Sequence, residues 1–140
     1  MSLTLFSREH LTLMNVKAGD ARTVANMAGV AERLEDLGAA SILSADGTLV
    51  LGVMGAAPTI PGVCEVFVLA SEDQQRHPIT FAKCVRKELY TLKQKYRRIQ
   101  AVAKDDDFHS RWLSWLGFER EGVMKKFGMN GEDMVMWGLI

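Results

Sequence analysis

The stretch from Val63 to Tyr96 constrains this chain more than any other. Val63-Cys64-Glu65-Val66-Phe67-Val68-Leu69-Ala70 is apolar, rich in β-branched residues and broken only by Glu65. At that length it reads as a strand buried on both faces. A polar loop follows, Ser71 to His77, and then Pro78, which suits the first turn of a helix because its missing N–H has no partner there in any case. Ala82, Val85, Leu89, Leu92 and Tyr96 then recur at three- and four-residue steps, the stripe of a helix laid on a sheet. A strand, loop and helix N-terminus in that order can receive an anion, because the first helical N–H groups are unpaired and the helix dipole is positive at that end. An ordinary strand–helix connection that binds nothing accounts for the same residues.

Around this stretch the chain reads as one domain, residues 1–140, long enough to bury a core. Lys+Arg and Asp+Glu are equal at 17 each, so no net field draws the protein to nucleic acid or to a membrane surface. The basic charge is nevertheless local. Eight basic residues between Arg76 and Arg98 stand against the single acid Glu88. That is the pattern of a solvated helix face, or of a face that meets polyphosphate or nucleic acid, and nucleic acid is the lesser reading. Cys64 and Cys84 form neither a disulfide framework nor a metal-ligand spacing, so no metal site is expected and both read as reduced core thiols. The N-terminus lacks the charged and apolar segments of a signal peptide, and no apolar run approaches a membrane span. The expectation is a soluble protein made in a cytoplasm.

In order, Leu11 to Val16 alternates weakly and predicts a first strand. Asp20 is placed to cap a helix over Ala21–Leu37, interrupted at Gly29 and closed by Gly38. Ala40–Ser44 and Thr48–Met54 predict a hairpin about Asp46-Gly47. Ala57 to Gly62 reads as a loop before the central strand. After the basic helix, Ile99–Ala103 predicts a strand parallel to the central one, since a helical crossover joins parallel neighbours. Asp105 to Asp107 cap the next helix, with Phe108, Trp112, Trp115 and Leu116 as its expected buried face and Gly117 as its stop. Glu121–Phe127 and Asp133–Leu139 predict a closing hairpin that turns at Asn130-Gly131. The sum is an α/β (α+β) chain with a mainly antiparallel mixed sheet, one parallel pair and helices on both faces.

That element order, together with Trp112-Leu113-Ser114-Trp115-Leu116-Gly117-Phe118-Glu119-Arg120-Glu121-Gly122, resembles the GNAT (Gcn5-related) N-acetyltransferase superfamily over about Leu11 to Ile140. The small size, the His-Pro of the loop and the Gly-Phe-Glu-x-Glu-Gly ending are also similar to GNAT-like proteins of tailed bacteriophages, internal virion proteins among them. The resemblance implies a central strand splayed from its parallel neighbour. Acetyl-CoA would then be bound by strand backbone at Val68 and Leu69 and by a Gln/Arg-x-x-Gly-x-Gly/Ala loop around its pyrophosphate. The aligned residues are Gln74-Gln75-Arg76-His77-Pro78-Ile79. Gln74, Gln75, Arg76 and His77 are the implied cofactor contacts. His77 and Ile79 stand where glycines allow close backbone approach to phosphate, and Pro78 removes a donor, so binding is expected to be weak or lost.

The family's tyrosine, which protonates the departing thiolate, falls at Leu113, which has no proton to give. Glu65, the only carboxylate within the central strand, is the implied general base. The same residue also reads as one that reaches solvent or pairs with a basic side chain. His109 is a weaker base candidate and reads equally as a surface residue beside the Asp cap. Two functions follow. One is an acetyl-CoA-dependent N-acyltransferase-like protein, in which an amine attacks the thioester directly. The other is a catalytically silent GNAT-fold component of a phage virion, whose partner would be a phage structural protein. The expected location is the cytoplasm of a bacterial host, or the virion.

Overall fold

The structure is a computed structural model that describes residues 2–14, 29–44 and 46–140. Its elements are β1 (Ser2–Leu5), α1 (Arg8–Leu13), α2 (Val30–Asp36), β2 (Ala40–Leu43), β3 (Val50–Ile60), β4 (Val63–Ala70), a 3-10 turn (Glu72–Arg76), α3 (Pro78–Lys93), β5 (Arg98–Lys104), α4 (Asp107–Leu116), β6 (Glu119–Met124) and β7 (Met134–Leu139). The strands hydrogen-bond in the order β1-β2-β3-β4-β5-β7-β6, a seven-stranded mixed sheet. The β4–β5 pair is parallel, as the crossover through α3 requires, while β1–β2, β2–β3, β5–β7 and β6–β7 are antiparallel. Among the described residues no helix is long and apolar enough to cross a membrane. The chain falls into two compact units, one of Met1–Ala56 with Phe67–Glu88 and the other of Ala57–Val66 with Leu89–Ile140.

In the first unit the expected strand at Leu11–Val16 is overturned where it is described. The first strand is Ser2–Leu5, paired with β2 from Ser2↔Leu43 to Leu5↔Ala40, and Leu11 lies in α1. Leu11 lies in α1 at helical spacing from Met14, the extended residue that caps its end. Both pack on a cluster of Phe6, Leu34, Ala39, Val50 and Val53, with Phe67 and Leu69 of β4 alongside. Alternation over so few residues did not distinguish that spacing from a strand's.

The start of α1 is fixed by a histidine. The Ser7 N–H donates to His10 Nδ1 (3.1 Å), and the hydroxyl of the fully buried Ser41 lies 2.7 Å from the same nitrogen. A backbone N–H only donates, so Nδ1 accepts and the ring proton sits on Nε2. Asp20 and most of the expected Ala21–Leu37 helix lie outside the described residues. Its last part is α2, which begins at Gly29 (φ 70°) and is closed by Gly38 (φ 65°), as the sequence predicted.

The β2–β3 connection turns at Asp46-Gly47, with Gly47 at φ 74°. The Ser44 hydroxyl (2.6 Å), the Thr48 N–H (3.0 Å) and the Thr48 hydroxyl (2.7 Å) all donate to one Asp46 carboxylate oxygen. Those donors, Ser44 first, hold the Asp46 carboxyl down to about 2. In α3 the stripe Ala82, Val85 and Leu89 is buried as expected, and Phe81 joins it. Leu92 is half-buried, and Tyr96 lies beyond the end of the helix.

In the second unit, the segment expected as a loop at Ala57–Gly62 is mostly strand. β3 continues to Ile60, and only Pro61-Gly62 turns. Pro58 is tolerated because this end of β3 is exposed. The closing strands are Glu119–Met124 and Met134–Leu139, shorter than predicted. Asn130-Gly131 does turn, but at the tip of a loop over 125–133 and not as a two-residue hairpin. That loop is held by the Lys126 N–H on the Asp133 carboxylate (2.9 Å) and the Asn130 N–H on Glu132 (2.8 Å).

The expected buried face of α4 also needs correction. Phe108 is 59% and Trp115 44% exposed, and Trp112 is half-buried. The core side is instead Leu113 and Leu116, followed by Phe118. Residues 108, 112 and 115 do share a face, but it is the other one. There Trp112 and Trp115 stack with ring centroids 6.4 Å apart. Side-chain size suggested the aromatic face, whereas it is the leucines that are buried, as are Ile99 and Ala101 of β5 and Val135, Trp137 and Leu139 of β7.

Two predictions follow from the first unit. A Cβ at Gly52 would lie 2.9 Å from the Leu69 carbonyl oxygen and 2.9 Å from the Phe81 ring. Gly52→Ala should therefore destabilise the protein by about 1–3 kcal/mol, read as a lower urea midpoint at unchanged slope, and an unaltered midpoint would contradict the close approach. Asp46, with its folded pKa depressed, stabilises the turn above the unfolded carboxylate value near 4 and loses that contribution as pH falls toward about 2. The stability gap between wild type and Asp46→Ala should thus be full at pH 6 and shrink over that acid window. A gap independent of pH would refute the assignment.

Candidate functional site

β4 leads straight into the polar loop singled out by the sequence. Along β4 successive residues alternate faces, so Glu65, Phe67 and Leu69 share one side, and Cys64, Val66 and Val68 the other. Cys64 and Val66 are buried, while Val68 and Leu69 are half-buried. Burial raises the pKa of the Cys64 and Cys84 thiols, which leaves neither as a thiolate nucleophile. The described residues hold no group of His, Cys, Asp and Glu able to bind a metal ion.

Beyond β4 the chain does not open into a loop of free donors. The Ser71 N–H reaches the Leu51 carbonyl (2.9 Å), and the 3-10 turn then closes on itself. The Asp73 N–H donates to Ser71 Oγ (3.2 Å), the Gln74 N–H to the Ser71 carbonyl (3.2 Å) and the His77 N–H to the Gln74 carbonyl (2.9 Å). The first helical bond of α3 is from the Phe81 N–H to the His77 carbonyl (2.9 Å). Pro78 has no donor, so Ile79 and Thr80 are the first-turn residues whose N–H groups lack a carbonyl one turn back.

The side chains divide sharply. Gln74 is only 9% exposed, whereas Gln75, Arg76 and His77 face solvent. His77 sits at φ −137°, a backbone state that asks for no glycine. As a fit to a pyrophosphate, the charge of Arg76 suits it and the backbone mostly does not.

Glu65 stands on the second unit's part of β4. The parallel register runs Val63↔Arg98, Cys64↔Ile99 and Glu65↔Gln100. Glu65 is half-buried, and among the described residues no hydrogen bond or ion pair engages its carboxylate. The basic residue two positions before Gln100, Arg98, is committed elsewhere, to Glu121 at 2.8 and 2.5 Å. Sequence reasoning offered Glu65 a basic partner as one alternative. It did not find the Arg98–Glu121 pair, although the alternation of Arg98 and Gln100 with Ile99 and Ala101 was the signal for a polar strand face.

The other sequence candidates lie on α4. Leu113 is 5% exposed, so the position at which the resemblance expects a tyrosine acid is closed as well as apolar. Its carbonyl accepts the Phe118 N–H (3.0 Å), and the Ser114 carbonyl accepts that of Gly117 (3.1 Å). This paired closure, with Gly117 at φ 100° and Phe118 buried, is what the Leu-Gly-Phe run encodes physically.

His109 belongs to the opposite helix end. Asp106 caps α4 by accepting the His109 N–H (2.7 Å), and the His109 ring Nδ1 lies 2.7 and 2.9 Å from the same carboxylate. Burial works to raise the Asp106 pKa, but the His109 backbone and ring bonds outweigh it and hold the carboxyl below the usual range. A carboxylate accepts only, so Nδ1 carries a proton and Nε2 is the ring's acceptor when His109 is neutral.

No protein-family model matches the sequence, and no curated protein matches it. Solved structures do. A GNAT-family acetyltransferase from Bacillus anthracis aligns with a TM-score of 0.73 at 13% identity, over 99% of this chain and 93% of that one. A spermidine N-acetyltransferase from Vibrio cholerae aligns with a TM-score of 0.72 at 13% identity, over 100% and 95%. An aminoglycoside 6'-N-acetyltransferase complexed with coenzyme A aligns with a TM-score of 0.64 at 14% identity, over 99% and 96%. At such identities the likeness is one of architecture, a mostly antiparallel mixed sheet with one parallel pair and helices. The chain has the fold of the GNAT acetyltransferases.

Proposed function

We propose that this protein is an N-acetyltransferase-like protein that acts on an amine, with Glu65 as general base and with a weakened acetyl-CoA site. The observation that carries the reading is Glu65 itself. A half-buried carboxylate with no partner among the described residues is costly to a fold and suited to accepting a proton. When bound, acetyl-CoA would supply an activated acetyl thioester. Val68 and Leu69 would offer it strand backbone, and Arg76 and His77 the exposed polar side chains of the turn. Gln75 is exposed beside them, while Gln74, buried, supports the turn. Glu65 takes the proton from the attacking nitrogen as the new amide bond forms. Leu113 has no proton to give, so this chain would supply none to the departing thiolate from that position.

A second reading is favoured by the loop. With the Asp73, Gln74 and His77 N–H groups spent inside the turn, the phosphate cradle is closed, which suits a catalytically silent GNAT-fold component of a phage virion. In that reading the partner is a phage structural protein and the site is the virion. The enzyme reading places the protein in the host cytoplasm.

Calorimetry separates the two. Acetyl-CoA should bind with a dissociation constant above about 1 μM, and Arg76→Ala should weaken it by about tenfold, the loss of one charge-assisted contact. Submicromolar binding that Arg76→Ala leaves unchanged would refute this use of the turn. For catalysis, Glu65→Gln keeps the shape and removes the proton acceptor, so acetyl transfer to a panel of amines should fall by about 10²–10⁴-fold. An equally active variant would remove Glu65 from the mechanism. A wild type inert across the panel, with no acetyl-CoA binding, would favour the virion reading.

A further inference from the structure

The two faces of the second unit's sheet are filled differently. Ile99 and Ala101 of β5 and Val135 and Trp137 of β7 are buried, whereas their neighbours Val102, Met134 and Met136 are half-buried. Register gathers these neighbours on one face. Glu65 of β4 aligns with Gln100 of β5, and Gln100 with Gly138 of β7. The next row on that face is Val102, Met136 and Gly122, and the row after it is Lys104, Met134 and Met124. Aligned residues on neighbouring strands share a face, and so do residues two apart on one strand. A polar row therefore borders two rows that are almost wholly apolar.

An ion pair closes part of the polar row. On β6 the pairing with β7 shifts between Arg120 and Gly122, which makes Glu121 the extra residue of a bulge. Its carboxylate takes Arg98 in a two-pronged pair, Nη1 to Oε2 at 2.8 Å and Nη2 to Oε1 at 2.5 Å, in the space a Cβ at Gly138 would need. The charge of Arg98 is thereby answered. Glu65, at the β4 end of the row, keeps a carboxylate with no partner among the described residues. Lys104 lies at the far end of the face and Glu119 at the outer edge of the polar row, both exposed. One row on from Gly138 the face is open, since a Cβ at Gly122 would meet nothing within 4 Å. Gly122 is not at a positive φ, so its backbone does not demand a glycine. Met136 is aligned with it, and Met124 and Met134 follow, half-buried and with flexible thioether side chains that adapt to apolar shapes.

We propose that this face binds the acceptor, and that the acceptor is a primary amine on an unbranched apolar body: the nitrogen meets Glu65, and the body lies along Val102, Met136 and Met134 beside the opening at Gly122. The inference rests on the reading of Glu65 as the residue that takes the amine proton, and it adds the class of amine. Charge decides the polar end. With Arg98 held by Glu121, an ammonium is the group that answers Glu65. The methionines decide the rest. An alkyl chain laid on them leaves water behind, whereas a polyamine would desolvate its further charges against thioethers with no partner. From β4 to β7 is two strand spacings, about 10 Å, a span that suits an extended chain of about six carbons beyond the reach of the Glu65 side chain.

The test uses the full chain with carbon-13 in its methionine methyl groups and n-hexylamine as the probe. In NMR spectra the Met124, Met134 and Met136 methyl resonances should shift saturably with n-hexylamine and stay in place with ethanolamine. The exposed Met129, on the 125–133 loop, should not respond to either. Affinity should rise by about twofold for each methylene from n-butylamine to n-hexylamine, half the free energy of full burial. Hexan-1-ol has the chain without the charge and should bind about tenfold more weakly, as should n-hexylamine to Glu65→Gln. Unmoved methyl resonances, or hexan-1-ol bound as tightly as n-hexylamine, would overturn the proposal. In the transfer assay, Gly122→Leu fills the opening and should raise KM for n-hexylamine by about tenfold with kcat within about threefold, the mark of lost binding. That increase should shrink as the chain is shortened to ethylamine. Met136→Gln, close in volume, should raise KM in the same direction and guards against a folding defect in the first variant. Unchanged KM in both variants would overturn the site. A wild type that acetylates no amine while its three methionine methyls move with n-hexylamine would sink Glu65 as a base and still support the binding face.

Discussion

One carbonyl sets the register on which the second unit's polar face depends. The Gly62 oxygen accepts the N–H of Arg97 (3.0 Å) and of Arg98 (3.3 Å), which ties the residue before β4 to the first of β5. The turn that offers it needs glycine on two grounds. Gly62 is at φ 83°, and the Arg97 guanidinium lies over it on its way to the Pro61 carbonyl, in the space a Cβ would take. From that anchor Val63 faces Arg98 and Glu65 faces Gln100. A slip of one residue would send Glu65 to the side where Cys64 and Ile99 are buried, and would strand a carboxylate in an apolar layer. Placing an ionisable group at the middle of an apolar strand is tolerable only when the register is this tightly held.

The elements that carry strong local signals were legible in the sequence. β4 and α3 announce themselves by a long β-branched run, a proline and a helical stripe, and the parallel placement of β5 follows from the crossover alone. Gly38, Gly47 and Gly117 sit at positive φ where turn chemistry asks for them. What was misread had two periodicities to choose from. Leu11 to Met14 alternates and is also spaced for a helix, and the decision belongs to Ser7 and His10, whose contact with Ser41 spans much of the first unit's sequence. On α4, Phe108, Trp112 and Trp115 share a face as expected. The core took Leu113 and Leu116 instead, because the two-bond closure at Gly117 and the burial of Phe118 set which way the helix rolls.

The site was less legible than the fold, for a physical reason. Whether a loop can cradle phosphate depends on which backbone donors are free, and sequence reports residue types and not donor use. His77 and Ile79 stand where the resemblance expects glycine, and residue type alone leaves donor use open. The stronger statement is that three N–H groups of the segment are already spent on Ser71 and Gln74. Replacing His77 by glycine would not by itself return them, since His77 already occupies a negative φ that costs it nothing. The Arg98–Glu121 pair was hidden for the opposite reason. It joins residues far apart in the chain through a bulge and a glycine whose purpose only the paired strands reveal.

The closed turn and the unpartnered carboxylate act on different quantities, so they need not contradict each other. Contacts to the pyrophosphate are made equally before and at the transition state, and losing them raises KM while leaving the chemical step alone. A base works only as the nucleophile loses its proton, and its loss falls on kcat. A purely structural GNAT-fold protein has no use for that carboxylate. In such a protein an apolar residue at position 65 would complete β4 at lower cost. On the proposed reading the turn would therefore govern affinity and Glu65 the chemical step, and a half-buried carboxylate on β4 is the feature that a scaffold alone does not require.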